Sequence, residues 1–254
     1  MTDSIKESVK RQFGTNAANY ATSSIHAKGG DLALLPELAG LTGQEEVLDV
    51  ATATGHTAFA LAPHARRVVG VDLTPEMLLQ ARQEAEARSV SNVTFQEGDA
   101  EHLPFPNNSF DVVTCRIAAH HFPNLAAFCR ESARVLRPGG RLVVVDNVVP
   151  EAEELDRFIN EVEKLRDPSH FRAWRLSEWE AHLAGAGLAY RLATTFTTQV
   201  DRENWLARMS VEPAVAAEVR RRLAEAPPEA AAHFGITETG FVLHKAILLG
   251  LKGA

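Results

Sequence analysis

The sequence predicts an α/β protein: a doubly wound, mostly parallel sheet with helical cap insertions. Short apolar runs alternate with helical patterns five times between residues 45 and 150. Carboxylates stand at or just past three consecutive run ends, Asp49, Asp72 and Asp99. After Pro150 the alternation stops, and the remaining helical pieces must dock on the same sheet. Strand-then-helix alternation implies parallel pairing with right-handed crossovers.

Taken in order, residues 4–22 carry Ile5, Val9, Phe13 and Tyr20 at roughly helical spacing, a marginally amphipathic helix outside the main core. Asn16 and Tyr20 lie one turn apart and share a face, which reads as surface docking or as a lid over a pocket. A helix is expected over 25–41. V-L-D-V-A-T-A-T-G (47–55) then gives a strand buried on both faces, a small-residue turn and a helix from His56. Arg67–Val71 is a second strand ending at Asp72, followed by Thr74-Pro75 as N-cap and first turn of a helix through Arg88. Val93–Gln96 is a third strand, His102–Asn108 a loop, and Ser109–Cys115 a fourth strand. Leu125–Leu136 is helical and stops at Pro138-Gly139-Gly140. Arg141–Val145 is a fifth strand, with Asp146-Asn147 at its end.

Beyond it the pattern gives a helix over 151–166, a helix over 177–186 closed by Gly187, and a strand over 188–197. Residues 202–226 are mostly helical, interrupted by Pro213 and stopped by Pro227-Pro228, and 241–251 is a last strand. The whole chain, 1–254, reads as one domain, with core motifs at 45–150 and cap elements at 1–25, 151–180 and 200–235.

Composition excludes several classes. With 26 basic and 33 acidic residues the net charge is -7, which disfavours a nucleic-acid partner. Arg220–Arg222 reads as a solvated helix face. No run of 18 apolar residues occurs, so no membrane span is expected. The start of the chain is charged, without an apolar leader core, and the expected compartment is the cytoplasm. The two cysteines, Cys115 and Cys129, read as reduced core residues.

In an open parallel sheet, ligands sit outside the carboxyl ends of the strands. Asp49, Asp72 and Asp99 are 23 and 27 residues apart, one strand-helix-strand unit each, so all three converge on one edge. An acid after the second strand suits a ribose diol, and one after the third suits the amine of adenine. An acid beside the first turn suits a ligand ammonium, directly or through water. Together they describe adenosine at one end and an amino-acid group at the other.

Five blocks carry a resemblance: 47–55, V-V-G-V-D-L-T-P-E-M-L (68–78), Q-E-G-D-A-E-H-L-P-F (96–105), S-F-D-V-V-T-C-R (109–116) and R-V-L-R-P-G-G-R-L (134–142). With them the chain resembles the class I S-adenosylmethionine-dependent methyltransferases, of the type that includes the ubiquinone and menaquinone C-methyltransferases. The resemblance implies a seven-stranded Rossmann-like sheet whose antiparallel strand is the last one. It implies S-adenosylmethionine as cofactor, with Asp49, Ala51, Thr52, Ala53, Gly55, Asp72, Leu73, Met77, Asp99 and Ala100 as its binding residues. Tyr20 joins them if the N-terminal helix is a lid, and Arg116 contacts the cofactor, contacts an acidic substrate, or makes a surface salt bridge. One departure stands out: the family's Gly-x-Gly-x-Gly turn is here Ala51, Ala53, Gly55.

His120 and His121 follow the fourth strand, which the family places beside the transferred methyl group. Either can act as a general base, with His121 favoured, or pack as a structural residue. No metal is expected, since the pair has no HxxxH spacing and no His/carboxylate cluster in sequence around it. Asp146-Asn147 reads as a helix cap or a substrate contact. His170, Phe171, Trp174 and Trp179, and the pair Trp205 and Met209, read as pocket lining or as core.

The expected activity is methyl transfer to a small-molecule acceptor, by C- or O-methylation of an apolar or aromatic compound, in a monomer or homodimer. The alternative is a non-catalytic protein binding S-adenosylmethionine or S-adenosylhomocysteine. A nicotinamide oxidoreductase is disfavoured, because A-T-A-T-G replaces the G-x-G-x-x-G it needs.

Overall fold

In the computed structural model the described residues are 2–21 and 29–254, with side chains described for 5–14 and 29–254. Five strands run parallel: β1 (Glu46–Val50), β2 (Arg67–Asp72), β3 (Val93–Glu97), β4 (Phe110–Arg116) and β5 (Leu136–Val149). A two-residue β6 (Trp174–Arg175) pairs with the end of β5. β7 (Leu188–Asp201) and β8 (Gly240–Lys252) complete the sheet in the order β3-β2-β1-β4-β5-β8-β7. β8 is antiparallel to both neighbours, as expected of the last strand.

The described helices are α1 (Thr2–Ala21), α2 (Gly30–Leu38), α3 (His56–Leu61), α4 (Pro75–Ala87), α5 (Leu125–Val135) and α6 (Glu153–Arg166). They continue with α7 (Leu176–Gly185), α8 (Arg202–Ala207), α9 (Pro213–Ala224) and α10 (Pro228–His233). The expected helix over 25–41 is described from Gly30 only; residues 22–28 lie outside the described residues.

Side-chain alternation explains why β1 is apolar throughout. Leu48 and Val50 face one way, into a core shared with Phe128 and Cys129 of α5 and Leu183 of α7. Val47 faces the other way, toward Leu32 and Leu35 of α2 and Phe59 of α3. α5 places Leu125, Phe128, Cys129 and Ser132 on one buried stripe, and Asn124 caps it by accepting the Ala127 N–H at 3.0 Å. A third core joins the cap to the sheet: Ile159 and Val162 of α6, Trp205 of α8, Val219 of α9 and Phe241 of β8.

Three local expectations change. β5 is far longer than 141–145: Leu136 already pairs with Phe110 of β4, β8 pairs beside Arg141 to Asn147, and β6 pairs with Val148 and Val149. Asp146 and Asn147 therefore lie inside the strand and cap nothing; the residue preceding α6 is Ala152. Pro227-Pro228 ends one helix but opens another, with Pro228 in the first turn of α10. Thr74 does precede α4, but its side chain makes no cap bond. Instead Asp72 accepts the Thr74 N–H at 2.9 Å.

Candidate active site

A cavity of about 940 Å³ runs along the carboxyl ends of the parallel strands. That is near the upper end of single-ligand pockets, so two molecules can lie side by side. Strand order sets its two halves. β2 and β3 bring Asp72, Leu73, Met77, Asp99 and Ala100 to one half; β5, β8 and β7 bring Asn147, Lys245 and Thr198 to the other.

The turn after β1 supplies the floor of the first half. Ala51 (φ 54°), Ala53 (φ 48°) and Gly55 (φ 88°) all take left-handed backbone. That conformation costs an L-residue about 1–2 kcal/mol and glycine almost nothing, so the two alanines keep the shape of the glycine turn under strain. The turn is held by carboxylates from below and beside. Asp72 accepts the Ala53 N–H at 2.8 Å. Asp49 accepts the hydroxyls of Thr52 at 2.6 Å and Thr114 at 2.7 Å. Burial pushes the Asp49 carboxyl up to about 6. Asp49 lies beneath the turn, outside the set of cavity-lining residues, as does Gly55; Ala51, Thr52 and Ala53 line it. A Cβ on Gly55 would stand 2.9 Å from Phe59 and 3.0 Å from Phe95, so this position is closed to alanine on packing as well.

α1 lies over this half. Lys6 reaches Asp99 and Glu101, each at 2.6 Å, and Phe13 packs edge-on against His121 with ring centroids 5.0 Å apart. Glu101, which also accepts the Asn124 N–H at 2.7 Å, is a cavity residue that its single loop position gave no reason to select. The side chains of Asn16 and Tyr20, named for the lid, lie outside the described residues.

Between the halves stand the histidines. Ile117, β-branched yet at φ 53°, turns the chain out of β4 toward the short helix Ala119–His121. His120 Nδ1 lies 2.6 Å from Asp146 Oδ1, and the same carboxylate accepts the backbone N–H of His120 at 3.1 Å and of Asn147 at 2.7 Å. Burial opposes charge on His120, but the Asp146 charge and hydrogen bond overcome it and raise its pKa above the ordinary histidine value. Burial opposes the Asp146 charge too, and His120 with the Asn147 N–H holds that carboxyl below the usual range. His121 differs. Burial and the adjacent His120 depress it to about 4, and its Nδ1 lies 3.0 Å from the Ser169 carbonyl. The carbonyl can only accept, so His121 carries its proton on Nδ1. Of the two rings, His120 is the one backed by a carboxylate and His121 the one backed by a carbonyl.

The sequence shows no His/carboxylate cluster near this pair, yet the fold builds one. His170 comes within 5.5 Å of His120 between ring centroids, and Glu163 and Asp167 line the same cavity. Among the described residues no group of three or more such side chains is placed to hold a metal ion. Arg116 lines the cavity but is no surface residue: its side chain is 5% exposed and pairs with Asp31 at 2.5 Å.

The aromatic candidates divide. Trp179 is fully buried core, and Phe171 and Trp174 pack on each other away from the cavity lining. Trp205 and Met209 do line the cavity, with the Arg166 guanidinium 4.4 Å above the Trp205 ring.

Comparison with known proteins fits this geometry. A methyltransferase-domain model matches residues 48–144. An uncharacterised methyltransferase of Bacillus subtilis, YcgJ, is 38% identical over 246 residues, covering 94% of this chain and 97% of that protein. The chain belongs to the class I S-adenosylmethionine-dependent methyltransferases. The crystal structure of YcgJ superposes with a TM-score of 0.86 over 88% of this chain and 98% of that one. A methyltransferase structure from Bacillus halodurans, 42% identical, gives 0.85 over 89% of this chain and 100% of its own. The demethylmenaquinone methyltransferase of Deinococcus radiodurans is 48% identical, but over 102 residues, 39% of this chain and 42% of that protein. In this methyltransferase no described helix is long and apolar enough to cross a membrane.

Proposed function

We propose that this methyltransferase uses S-adenosylmethionine to methylate a small aromatic acceptor with a weakly acidic ring hydroxyl, and that His120 is the general base. The observation that carries it is the buried His120–Asp146 pair on the same cavity as the strained β1 turn. The residues present fit the cofactor. Asp72 would accept from a ribose diol, Leu73 and Met77 would give apolar contact to adenine, and Asp99 with Ala100 would meet its edge; all five line the cavity. When bound, S-adenosylmethionine supplies an electrophilic methyl group on its sulfonium sulfur. His120 takes the hydroxyl proton on Nε2, and Asp146 stabilises the imidazolium formed. The oxyanion, or the ring carbon it activates, would be the nucleophile, held in a cavity lined by Phe13 of α1 and by Trp205 and Met209 of the cap. The demethylmenaquinone methyltransferase match supports a quinol-type ring.

The test is transfer of a labelled methyl group to a panel of phenols and hydroquinones. His120→Ala is expected to lower turnover by roughly 10²–10⁴-fold, the usual contribution of a positioned base, with cofactor affinity unchanged. Full turnover in that variant would remove His120 from the chemistry. The alternative, a protein that binds the cofactor without transferring methyl, draws on the strained Ala51 and Ala53. It predicts cofactor binding with no labelled product from any acceptor.

A further inference from the structure

The acceptor half of the cavity holds a cation with no direct partner: the Asp31, Asp146 and Glu163 carboxylates act on Lys245 only through space. Lys245 on β8 stands opposite Asn147 on β5, and both line the cavity. Directly opposed residues of an antiparallel pair share a face, with Cβ atoms about 4.5–5.5 Å apart. Among the described residues the Lys245 ammonium makes no hydrogen bond or ion pair. Its neighbours are engaged elsewhere. Arg116 holds Asp31, and Arg166 lies on Trp205 and donates to its carbonyl at 3.1 Å. Glu163, a buried cavity carboxylate, stands 3.4 Å from Asn147 Nδ2 and 3.6 Å from His170 Nδ1. The Oδ1 of Asn147 is buried with no donor.

A half-buried ammonium that donates no hydrogen bond has lost part of its hydration without direct replacement, and a ligand oxygen carrying negative charge supplies it. With the Arg116 guanidinium already on Asp31, the place suits a singly charged oxygen better than a phosphate. Trp205, Met209 and Leu243 give this half an apolar wall for the ring that carries it.

We propose that Lys245 is a specificity-determining residue that holds an anionic oxygen of the acceptor, from a ring carboxylate or a second ring hydroxyl. This rests on the methyl-transfer reading of the cavity.

The test is calorimetry on the full chain, as wild type, Lys245→Met and Lys245→Arg. Affinity for S-adenosylhomocysteine is measured first. Its absence in the wild type overturns the methyl-transfer reading and the proposal with it; its presence leaves the probes to judge Lys245 alone, and equal values in the variants show that they fold. Phenol, 3-hydroxybenzoate and resorcinol are then titrated into the saturated protein. A charge-assisted bond in a buried site gives an expected gain of roughly tenfold for 3-hydroxybenzoate over phenol, lost in Lys245→Met and kept in Lys245→Arg. A gain shared by resorcinol assigns the second hydroxyl, and one confined to 3-hydroxybenzoate assigns the carboxylate. Equal binding of all three probes by the wild type, including none by any, overturns the proposal, as does a gap that survives in Lys245→Met.

Discussion

Asp146→Asn separates the roles of the His120–Asp146 pair without needing the acceptor. Asp146 takes three donors: the His120 ring at 2.6 Å, the His120 N–H at 3.1 Å and the Asn147 N–H at 2.7 Å. An asparagine has one acceptor oxygen. Set in the Oδ1 position, it still serves the ring and Asn147, and turns its amide against the His120 N–H. One orphaned buried donor costs about 1–3 kcal/mol. For a chain of this size that lowers the melting temperature by about 2–4 °C per kcal/mol. The loss is pH-dependent. His120 is raised in the folded state, so its contribution is complete below its unfolded value and is lost as pH rises through the folded one. Asp146 is depressed, so its contribution is present above the unfolded carboxylate value and lost as pH falls through the folded one. The charged pair therefore stabilises between those limits, in the mildly acid range. The stability gap between wild type and variant is expected to be widest there and to narrow above the folded His120 value. Nuclear magnetic resonance of the imidazole follows the same event directly: the His120 pKa should stand above about 6.5 in the wild type and fall in Asp146→Asn, where the Asp146 charge is gone and only the Glu163 and Asp167 charges still oppose burial. An unmoved His120 titration, or a gap independent of pH, would refute the reasoning.

Other perturbations report on neighbouring parts of the site. Ala53→Gly removes left-handed strain of about 1–2 kcal/mol and adds about 0.4–1 kcal/mol of unfolded-state entropy, so thermal melts should show a net gain of a few tenths to about 1 kcal/mol. A loss of stability would mean that the turn is not strained there. Asp72→Ala should weaken S-adenosylmethionine binding by more than roughly tenfold in calorimetry, through loss of the ribose contact and of the Ala53 and Thr74 backbone anchors. Unchanged affinity would exclude it from the cofactor site. Lys6→Met removes the two ion pairs of α1 and should speed proteolytic cleavage within the first helix while leaving the global melting temperature within about 1 °C. An unchanged cleavage rate would show that those pairs do not hold α1. Once an acceptor is known, initial rates should rise with pH through the folded His120 value, because the free base acts; a fall over that range would contradict general-base catalysis.

The core of this fold was legible because each central strand is a run buried on both faces, a pattern that needs no tertiary information. Asp72 and Asp99 were legible for a related reason. Their spacing is set by strand-helix-strand units, and parallel register then carries both to one edge. The length of β5 is not legible, because Pro138-Gly139-Gly140 reads locally as a breaker, whereas the strand's early start rests on Leu136 pairing with β4 and its late end on β8 and β6, strands far off in sequence. The same long-range pairing conceals the pair at the centre of the site. Asp146 follows four buried apolar residues, Leu142–Val145, and a lone acid after such a run is the signal that singled out Asp49. Read that way, it could have been matched to the histidines, since β4 and β5 are neighbours with Arg116 beside Val145. The cluster of His170, Glu163 and Lys245 was not legible. Its members come from a loop, a cap helix and the last strand, and their meeting depends on how the cap folds back over the sheet edge.

The central claim is that this cavity holds S-adenosylmethionine despite alanines where its turn would favour glycine. Calorimetric titration of the purified protein with S-adenosylmethionine, and separately with NADH, tests it most directly. Micromolar binding of S-adenosylmethionine alone is expected. No heat from S-adenosylmethionine, or binding of NADH in its place, would contradict it.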